Sequence, residues 1–94
     1  ISCGFLRNQR SWIFLPVRVE YAVSADGNLY KTLYTEKHKP EPDYPVKIKN
    51  ISADFSPRFI RFIRIRAESI GLCPQWHPGN GGRAWIFADE IVVR

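Results

Sequence analysis

The sequence predicts an all-β protein, an antiparallel β-sandwich of the jelly-roll type. Short segments alternate apolar and polar residues with a period of two, which is the pattern of half-buried strands. These segments are rich in β-branched and aromatic residues, and turn residues separate them. At 94 residues the chain is expected to form one domain, residues 1–94, without an internal linker or repeat.

Three strands are predicted in the first half of the chain, at residues 1–6, 17–23 and 29–35. The strand at 17–23 shows the clearest alternation, because valine and tyrosine occupy one face and Arg18 and Glu20 the other. The Ser-Ala-Asp-Gly-Asn segment that follows predicts a tight hairpin turn, since Asp-Gly tolerates positive φ.

Prolines dominate the middle of the chain. Three of them in residues 36–45 exclude a central strand and predict an extended surface loop, in which His38 is expected to be solvated. Residues 46–55 alternate again, but their apolar phase slips by one residue. That slip predicts a bulge or bend near Asn50.

The second half is predicted to contain two more strands around a long loop. Residues 59–67 favour a strand over a helix because of their Phe and Ile content. Residues 69–82 are rich in glycine and proline and predict a loop, whose length is typical of functional segments. Residues 83–93 are predicted to form the last strand.

The residues that catalysis or nucleic-acid binding would require are sparse or dispersed. Lys plus Arg number 14 against 9 Asp plus Glu, a net charge of +5, but the basic residues are spread from Arg7 to Arg94. No nucleophile elbow is visible, and Asp89 and Glu90 are adjacent in a predicted strand and should point to opposite faces. No apolar run approaches the ~18 residues of a membrane span. We therefore expect neither an enzyme nor a nucleic-acid or membrane partner.

The two cysteines, Cys3 and Cys73, do not have the spacing of a zinc site. They could form one disulfide between the first strand and a late loop, or remain two buried thiols. One isolated bridge is unlike the dense disulfide frameworks of small secreted scaffolds, which favours free thiols.

The long loop presents Trp76 and His77 before a glycine-rich run. An exposed aromatic ring stacks on the apolar face of a pyranose, and a neighbouring histidine hydrogen-bonds the hydroxyls. The alternative is that Trp76 folds back to close one end of the sandwich, since a small domain needs large apolar side chains inside.

A second polar cluster lies just before Trp12. Its members Arg7, Asn8 and Arg10 offer planar donors that suit vicinal hydroxyls or a carboxylate. The alternative is an ordinary charged loop. Residues 12–16 are too apolar to be wholly exposed, so we expect them in the core or at an interface.

Four segments together resemble the coagulation-factor type-C family, also called discoidin-like domains: FLRNQRSWIFLP, VEYAVSADGNLY, RFIRIRA and WHPGNGGRAWIFADEIVV. The V-S-x-D-G hairpin and the R-[YF]-I-R strand are general to that family. The run C-P-x-W-H-x-G-x-G-G-x-A-W-x-F-x-D-E-I, matched from Cys73 to Ile91, is more specific. It resembles the C-terminal module of bacterial family-20 glycoside hydrolases, the β-N-acetylhexosaminidases or chitobiases.

The resemblance implies a galactose-binding-like jelly roll that is non-catalytic and binds carbohydrate of the N-acetylhexosamine or galactose type. It further implies attachment to an extracytoplasmic bacterial glycosidase (periplasmic, cell-surface or secreted), which the domain would target to glycan. Sugar-binding relatives use an Arg and an Asn from the loop before the V-S-x-D-G strand, where Arg7, Asn8 and Arg10 lie here. Trp76 and His77 join them by loop position.

An alternative role is an interaction domain without a free sugar site. In that case Trp12 and the Trp76 loop would pack against the catalytic domain of the same polypeptide. The resemblance covers nearly the whole chain and leaves both roles open.

The resemblance also bears on calcium and on completeness. Many relatives hold a structural calcium with an acidic residue near the D-E-I run, which implies Glu90 as a ligand. The other ligands come from the family's N-terminal third, which this sequence lacks, and calcium takes roughly 6–8 oxygens. Because the chain starts at Ile1 and contains no methionine, we expect the C-terminal portion of a longer protein. Missing N-terminal strands would leave sheet edges exposed.

Overall fold

A computed structural model describes residues 1–42, 45–54 and 60–93, and it confirms the all-β class. The strands of this part of the chain form two three-stranded antiparallel sheets, ordered β4-β1-β6 and β3-β2-β5. Their bounds are β1 (Ser2–Arg7), β2 (Arg18–Ser24), β3 (Lys31–Lys37), β4 (Lys47–Ser52), β5 (Phe62–Glu68) and β6 (Ala88–Val92), with a 3₁₀ turn at Gln9–Ser11.

The core lies between the two central strands, β1 and β2. On β2 the predicted alternation is confirmed, because Val19, Tyr21 and Val23 are buried against the other sheet. The Tyr21 hydroxyl donates a 2.6 Å hydrogen bond to the carbonyl oxygen of Ile51, which joins the sheets directly. Burial raises the pKa of Tyr21 to about 12, so the phenol stays a donor. The core residues are Ile1, Cys3, Phe5, Val19, Tyr21, Val23, Ile51 and Ala53.

The connection between β2 and β3 is longer than the predicted tight turn. It is organised by Asp26, whose Oδ1 accepts hydrogen bonds from the amides of Asn28 (2.8 Å) and Leu29 (3.0 Å). The amides of Leu29 and then Asn28 lower the pKa of Asp26. Gly27 takes a φ of 84°, as the Asp-Gly pair predicted. The return strand therefore begins at Lys31 rather than two residues earlier.

The bulge predicted near Asn50 is wrong. The register between β1 and β4 runs without a shift from Ser2↔Ser52 to Arg7↔Lys47. The apolar phase slip has another cause: Ile48 pairs with Leu6 on the outer face, whereas Ile51 pairs with Cys3 on the core face. Alternation on two faces imitates the signature of a bulge.

A bulge does occur where β1 meets β6, between Cys3 and Phe5. There the Asp89 carboxylate accepts a 2.7 Å hydrogen bond from the Gly4 amide. A Cβ on Gly4 would lie 2.3 Å from that carboxylate, so a side chain at this position would displace it.

The last two predicted strands differ in outcome. The prediction of a strand, and not a helix, is confirmed for β5. Phe59 from that predicted strand and Phe55 from the preceding one lie outside the described residues. The final strand is shorter than predicted, because only Ala88–Val92 pairs in the sheet and the residues before it belong to the long loop.

The outer strands define two flanks of the sandwich. Lys49 of β4 lies 3.3 Å from the Glu36 carboxylate of β3, so these two strands form one flank, called here the closed flank. Because β1 and β2 are central, the remaining outer strands β5 and β6 form the opposite flank, called here the open flank.

Candidate functional site

Two loops meet at the end of the sandwich where β1 ends. Asn8 and Ile13 exchange backbone hydrogen bonds of 2.9 Å, which closes the first loop on itself. The amide of Trp85 donates to the carbonyl of Trp12 at 2.9 Å, and the amide of Phe14 donates to the carbonyl of Trp85 at 3.0 Å. These bonds bring together the two segments in which the sequence predicted site residues.

His77 is buried inside this junction, with 3% of its surface exposed. Its Nδ1 accepts a hydrogen bond from the amide of Gly79 at 2.9 Å, so its Nε2 is the protonated nitrogen and donates to the carbonyl oxygen of Gln9 at 2.6 Å. Both ring nitrogens are engaged within the chain. The predicted contact of His77 with a sugar hydroxyl therefore does not fit this geometry, and His77 holds the two loops together instead.

Trp76 combines the two alternatives that the sequence left open. Its ring meets Phe14 edge-on with 6.2 Å between centroids and meets His77 in the same way at 6.0 Å. Even so, 36% of its surface remains exposed. Trp76 is thus anchored on one side and available to a ligand on the other.

Two further tryptophans are partly exposed at the same end. Trp12 is 39% exposed and Trp85 is 57% exposed. Trp12 adopts a left-handed backbone with a φ of 64°, and its indole lies on Gly79 and Gly82, where a Cβ would come within 2.5 Å of the ring. Two glycines of the long loop, Gly79 and Gly82, are therefore required by the close approach of Trp12.

A polar depression lies beside these aromatic residues. It has a volume of about 540 Å³ including open solvent, and Phe14, the ring that contacts Trp76, forms part of its wall. Arg7 lines it and donates from Nη2 to the carbonyl oxygen of Pro45 at 3.2 Å. Gln9 lines it too and donates from Nε2 to the carbonyl oxygen of Glu41 at 2.8 Å. Its lining residues are Arg7, Gln9, Phe14, Leu15, His38, Lys39, Pro40, Glu41 and Pro42.

The other two polar residues of the predicted cluster lie in the first loop. Arg10 is exposed on the 3₁₀ turn, where its guanidinium faces solvent. Asn8 is half-buried, and its side chain does not cap the turn that it precedes. Arg7 therefore lines the depression, and Asn8 and Arg10 lie in the loop that the backbone bonds of Trp12 and Phe14 join to the Trp85 segment.

The sequence predicted a solvated His38, and that prediction is wrong. Its side chain is 13% exposed, with Nδ1 at 2.8 Å from the carbonyl oxygen of Pro16 and Nε2 at 2.6 Å from Glu36. Glu36 also accepts from the Tyr34 hydroxyl at 2.6 Å. Burial alone would raise the pKa of Glu36, but hydrogen bonds from Tyr34, His38 and Lys49 outweigh it and lower that pKa.

Glu90 does not belong to this end of the molecule. It is exposed on β6, and within residues 1–42, 45–54 and 60–93 no group of three His, Cys, Asp or Glu side chains comes together as a metal site would need. A single carboxylate supplies at most two of the roughly 6–8 oxygens that calcium takes. The calcium at Glu90 therefore stays a prediction.

Both cysteines are free and buried, which confirms the predicted thiols. Burial, together with the charge of Asp89, raises the pKa of the Cys3 thiol, and burial raises that of Cys73. Neither thiol is therefore a reactive nucleophile at neutral pH.

Several residues of the site were missed by sequence reasoning. Gln9 is buried and links both loops, yet it stood among charged neighbours that read as a surface. Trp85 lay within a predicted strand, and alternation there gave no sign of its exposure. The only available signal was the density of tryptophan near glycine, which marks places where a ring lies on the backbone.

A comparison with protein-family models finds no match for this chain, and a comparison with curated protein sequences finds none either. In the described part of the chain, helical structure of the length and apolarity needed to cross a membrane does not occur. The geometry of the loop end is therefore the basis on which its function is argued.

Proposed function

We propose that this protein is a non-catalytic carbohydrate-binding domain and that the loop end of the sandwich is its sugar site. The observation that carries the proposal is Trp76, a partly exposed ring held edge-on by Phe14 and the buried His77. A ring fixed in this way loses little conformational freedom when a ligand covers it, which lowers the cost of binding.

In the proposed complex the apolar face of a pyranose lies on Trp76. Hydroxyl groups accept hydrogen bonds from Arg7 and Arg10, and the Asn8 amide both donates and accepts. Phe14 connects these parts, because it lines the depression of Arg7 and contacts the Trp76 ring. His77 acts here as a positioning residue, since it fixes the loop that presents the ring.

The depression is open and polar, so the expected binding is shallow and weak. Its volume of about 540 Å³ includes open solvent, whereas enclosed ligand pockets of ≈ 300–1,000 Å³ bury most of their ligand. Such a site suits recognition of one or two sugar units on a larger glycan rather than retention of a free monosaccharide.

The sequence resemblance supports the same proposal. A galactose-binding-like jelly roll of the discoidin-like kind agrees with two antiparallel sheets, and the run from Cys73 to Ile91 favours a module of bacterial β-N-acetylhexosaminidases. We accordingly propose an extracytoplasmic bacterial glycosidase as the parent chain and an N-acetylhexosamine or galactose unit as ligand. Calcium has no part in the proposal, since no cluster of three His, Cys, Asp or Glu side chains accompanies Glu90 in the described residues.

A glycan array followed by calorimetric titration of the best ligand tests the proposal. Trp76→Ala should weaken binding by about tenfold or more, because a lost stacking contact of ~1.4 kcal/mol corresponds to that factor. Arg10→Ala should weaken it less, since an exposed donor competes with water. The matched control is Phe62→Ala, an exposed aromatic residue of β5, and it should leave the affinity unchanged.

Two results would contradict the sugar site. One is the absence of any glycan that binds the intact chain. The other is equal affinity of the wild type and Trp76→Ala while circular dichroism shows that both are folded.

A second candidate function rests on a different observation. The outer face of the β4-β1-β6 sheet carries a shallow depression of about 470 Å³ including open solvent, lined by Leu6, Ile48 and Phe87 among others. This apolar lining favours packing against the catalytic domain of the same polypeptide. In the parent enzyme Phe87→Ala would then lower the unfolding temperature more than it does in this chain alone. The loss from Trp76→Ala, which removes packing on Phe14 and His77, would be the same in both.

A further inference from the structure

The open flank leaves core-facing side chains uncovered. Ile91 of β6 pairs with Cys3 and therefore points between the sheets, yet 55% of its surface is exposed. On β5, Ile63 and Ile65 pair with Val23 and Tyr21, and they are only partly buried. Within the described ranges no strand pairs with the outer edge of either β5 or β6.

The two flanks protect their strand edges differently. Lysines lie along the closed flank, at Lys31 and Lys37 of β3 and at Lys47 and Lys49 of β4. Edge lysines discourage pairing with another chain, because adding a strand would bury their charge. β6 has no lysine and exposes Ile91 instead. The open flank therefore differs from the closed flank in having an exposed isoleucine and charges of opposite sign on its two strands, instead of lysines on both.

The strands of the open flank run in opposite directions. On the closed flank, Ile51 of β4 accepts the hydrogen bond of Tyr21 on β2. Two residues earlier on β4, Lys49 contacts Glu36, which pairs with Val19, two residues earlier on β2. The two strands therefore run parallel. Both β4 and β6 are antiparallel to β1, and β5 is antiparallel to β2. It follows that β5 and β6 are antiparallel to each other.

This direction allows two ways for a second copy to close both edges at once. A twofold axis along the strands would place β6 beside β5 of the second copy, antiparallel, and would repeat the contact at the other edge. A twofold axis across the sheets would pair each strand with its own equivalent.

Charge selects between the two arrangements. β6 contributes Asp89 and Glu90, and β5 carries Arg64, Arg66 and, at its end, Glu68, with Arg61 just before it. Arg64 already lies 3.7 Å from Glu20 and over the Tyr30 ring, so the charge available for a new contact is that of Arg61 and Arg66. Pairing each strand with its equivalent would set acid against acid and arginine against arginine, which is unfavourable. Pairing β6 with β5 of the second copy sets opposite charges together.

We propose that the open flank is a self-association surface on which two copies of this chain pair β6 with β5 in a symmetric dimer. The pairing supplies the missing backbone hydrogen bonds of both edges and covers Ile63, Ile65 and Ile91. Because the sugar site lies at the loop end, a dimer would present two such sites, and the proposal does not depend on whether they bind sugar.

Sedimentation equilibrium of the intact chain, from micromolar to millimolar concentration, tests the dimer. Ile91→Lys should raise the dissociation constant at least roughly tenfold, because it places a charge in the buried contact. The matched control is Ile48→Lys, an equally exposed isoleucine on the outer face of β4, which should leave dimerisation unchanged. A wild type that stays monomeric throughout, or equal effects of the two variants, overturns the proposal.

Charge reversal tests the pairing itself. Glu90→Arg and Arg66→Glu should each weaken the homodimer, and mixing the two variants should restore association, because complementary charges then meet at both edges. If either reversal leaves the wild-type dissociation constant unchanged, or if the mixture stays monomeric, the pairing of β6 with β5 is wrong. Circular dichroism of each variant checks that a variant that stays monomeric is still folded.

Discussion

The closed and open flanks differ in how deeply they bury an isoleucine side chain at equivalent positions. Ile51 of β4 and Ile91 of β6 both pair with Cys3, one from each side. Ile51 is 1% exposed, whereas Ile91 is 55% exposed. Both side chains point between the sheets, but Ile51 belongs to the core cluster with the buried residues of β2 and Ile91 does not. Burial in this sandwich is decided by the facing sheet rather than by the pattern of the strand.

Polar contacts complete the closed flank. Glu36 of β3 gathers hydrogen bonds from Tyr34, His38 and Lys49, the last of which crosses to β4. Tyr21 adds a bond from one sheet to a backbone carbonyl of the other. Comparable bonds between β5 and β6 do not occur among the described residues. Each of these two strands is therefore held by hydrogen bonds within its own sheet.

The largest expected effect contrasts the two isoleucines. Ile51→Ala should lower the free energy of unfolding by about 2–5 kcal/mol, because it leaves a cavity in the packed core. Ile91→Ala should change it by less than about 0.5 kcal/mol in dilute solution, since that side chain is mostly exposed. Urea unfolding of both variants measures the difference. Equal losses would mean that the two flanks are closed to the same extent.

The bond between the sheets is the next in size. Tyr21→Phe should cost about 1–3 kcal/mol, because it leaves the buried carbonyl of Ile51 without its donor. Tyr30→Phe is the matched control, since Tyr30 is half-buried and contacts Arg64 through its ring face, which the substitution keeps. Chemical denaturation compares them, and a loss for Tyr21→Phe no larger than the control's would show that the bond does not stabilise the closed flank.

The ionic cluster of the closed flank predicts a dependence on pH. The pKa of Glu36 is below its ordinary value of 4.5, so its stabilising contribution is present above that value and is lost as the pH falls through the lowered pKa. Glu36→Gln should cost about 1 kcal/mol at neutral pH, and this difference from the wild type should shrink in acid. Asp26, whose pKa is also lowered, loses its contribution in both proteins and cancels in the comparison.

Thermal unfolding of the wild type and Glu36→Gln between neutral and acidic pH gives the measurement. A gap that stays constant down to strongly acidic pH would show that the Glu36 charge does not support the flank.

The smallest effect concerns the Cys3 thiol, which lies between Ile51 and Ile91 in the sheet. In a Cys73→Ser background, Cys3 should react slowly with a thiol reagent at neutral pH, because burial and Asp89 raise its pKa. Ile91→Ala should speed this reaction roughly severalfold, since it uncovers the thiol from the open flank. An unchanged rate would indicate that another part of the chain shields Cys3.

Much of the fold could be predicted because period-two alternation reports directly on one-sided burial. β2 is the best case, since its valines and tyrosine face one central layer and its charges face solvent. Prediction failed at Asn50, where apolar residues on two different faces imitated a bulge. It also failed for the turn at Asp26, whose side-chain hydrogen bonds lengthen the loop beyond what the Asp-Gly pair alone indicates.

The candidate site could be predicted by segment but not by role. Trp76 and the Arg7 cluster were predicted because loops rich in aromatic and planar donor residues are typical of binding sites. His77 was expected to face a ligand, but its nitrogens bond Gln9 and Gly79. Those partners lie in a different loop and in a turn, so spacing along the chain carries no information about them.

By itself, the sequence determined the strand-forming segments and the two loops that carry the candidate site, because these follow from local periodicity, composition and backbone freedom. Only the tertiary structure decided which isoleucines are buried, that His77 joins two loops, and that Glu36 connects two sheets. Each of these depends on groups distant along the chain, whose approach is fixed by how the sheets pack.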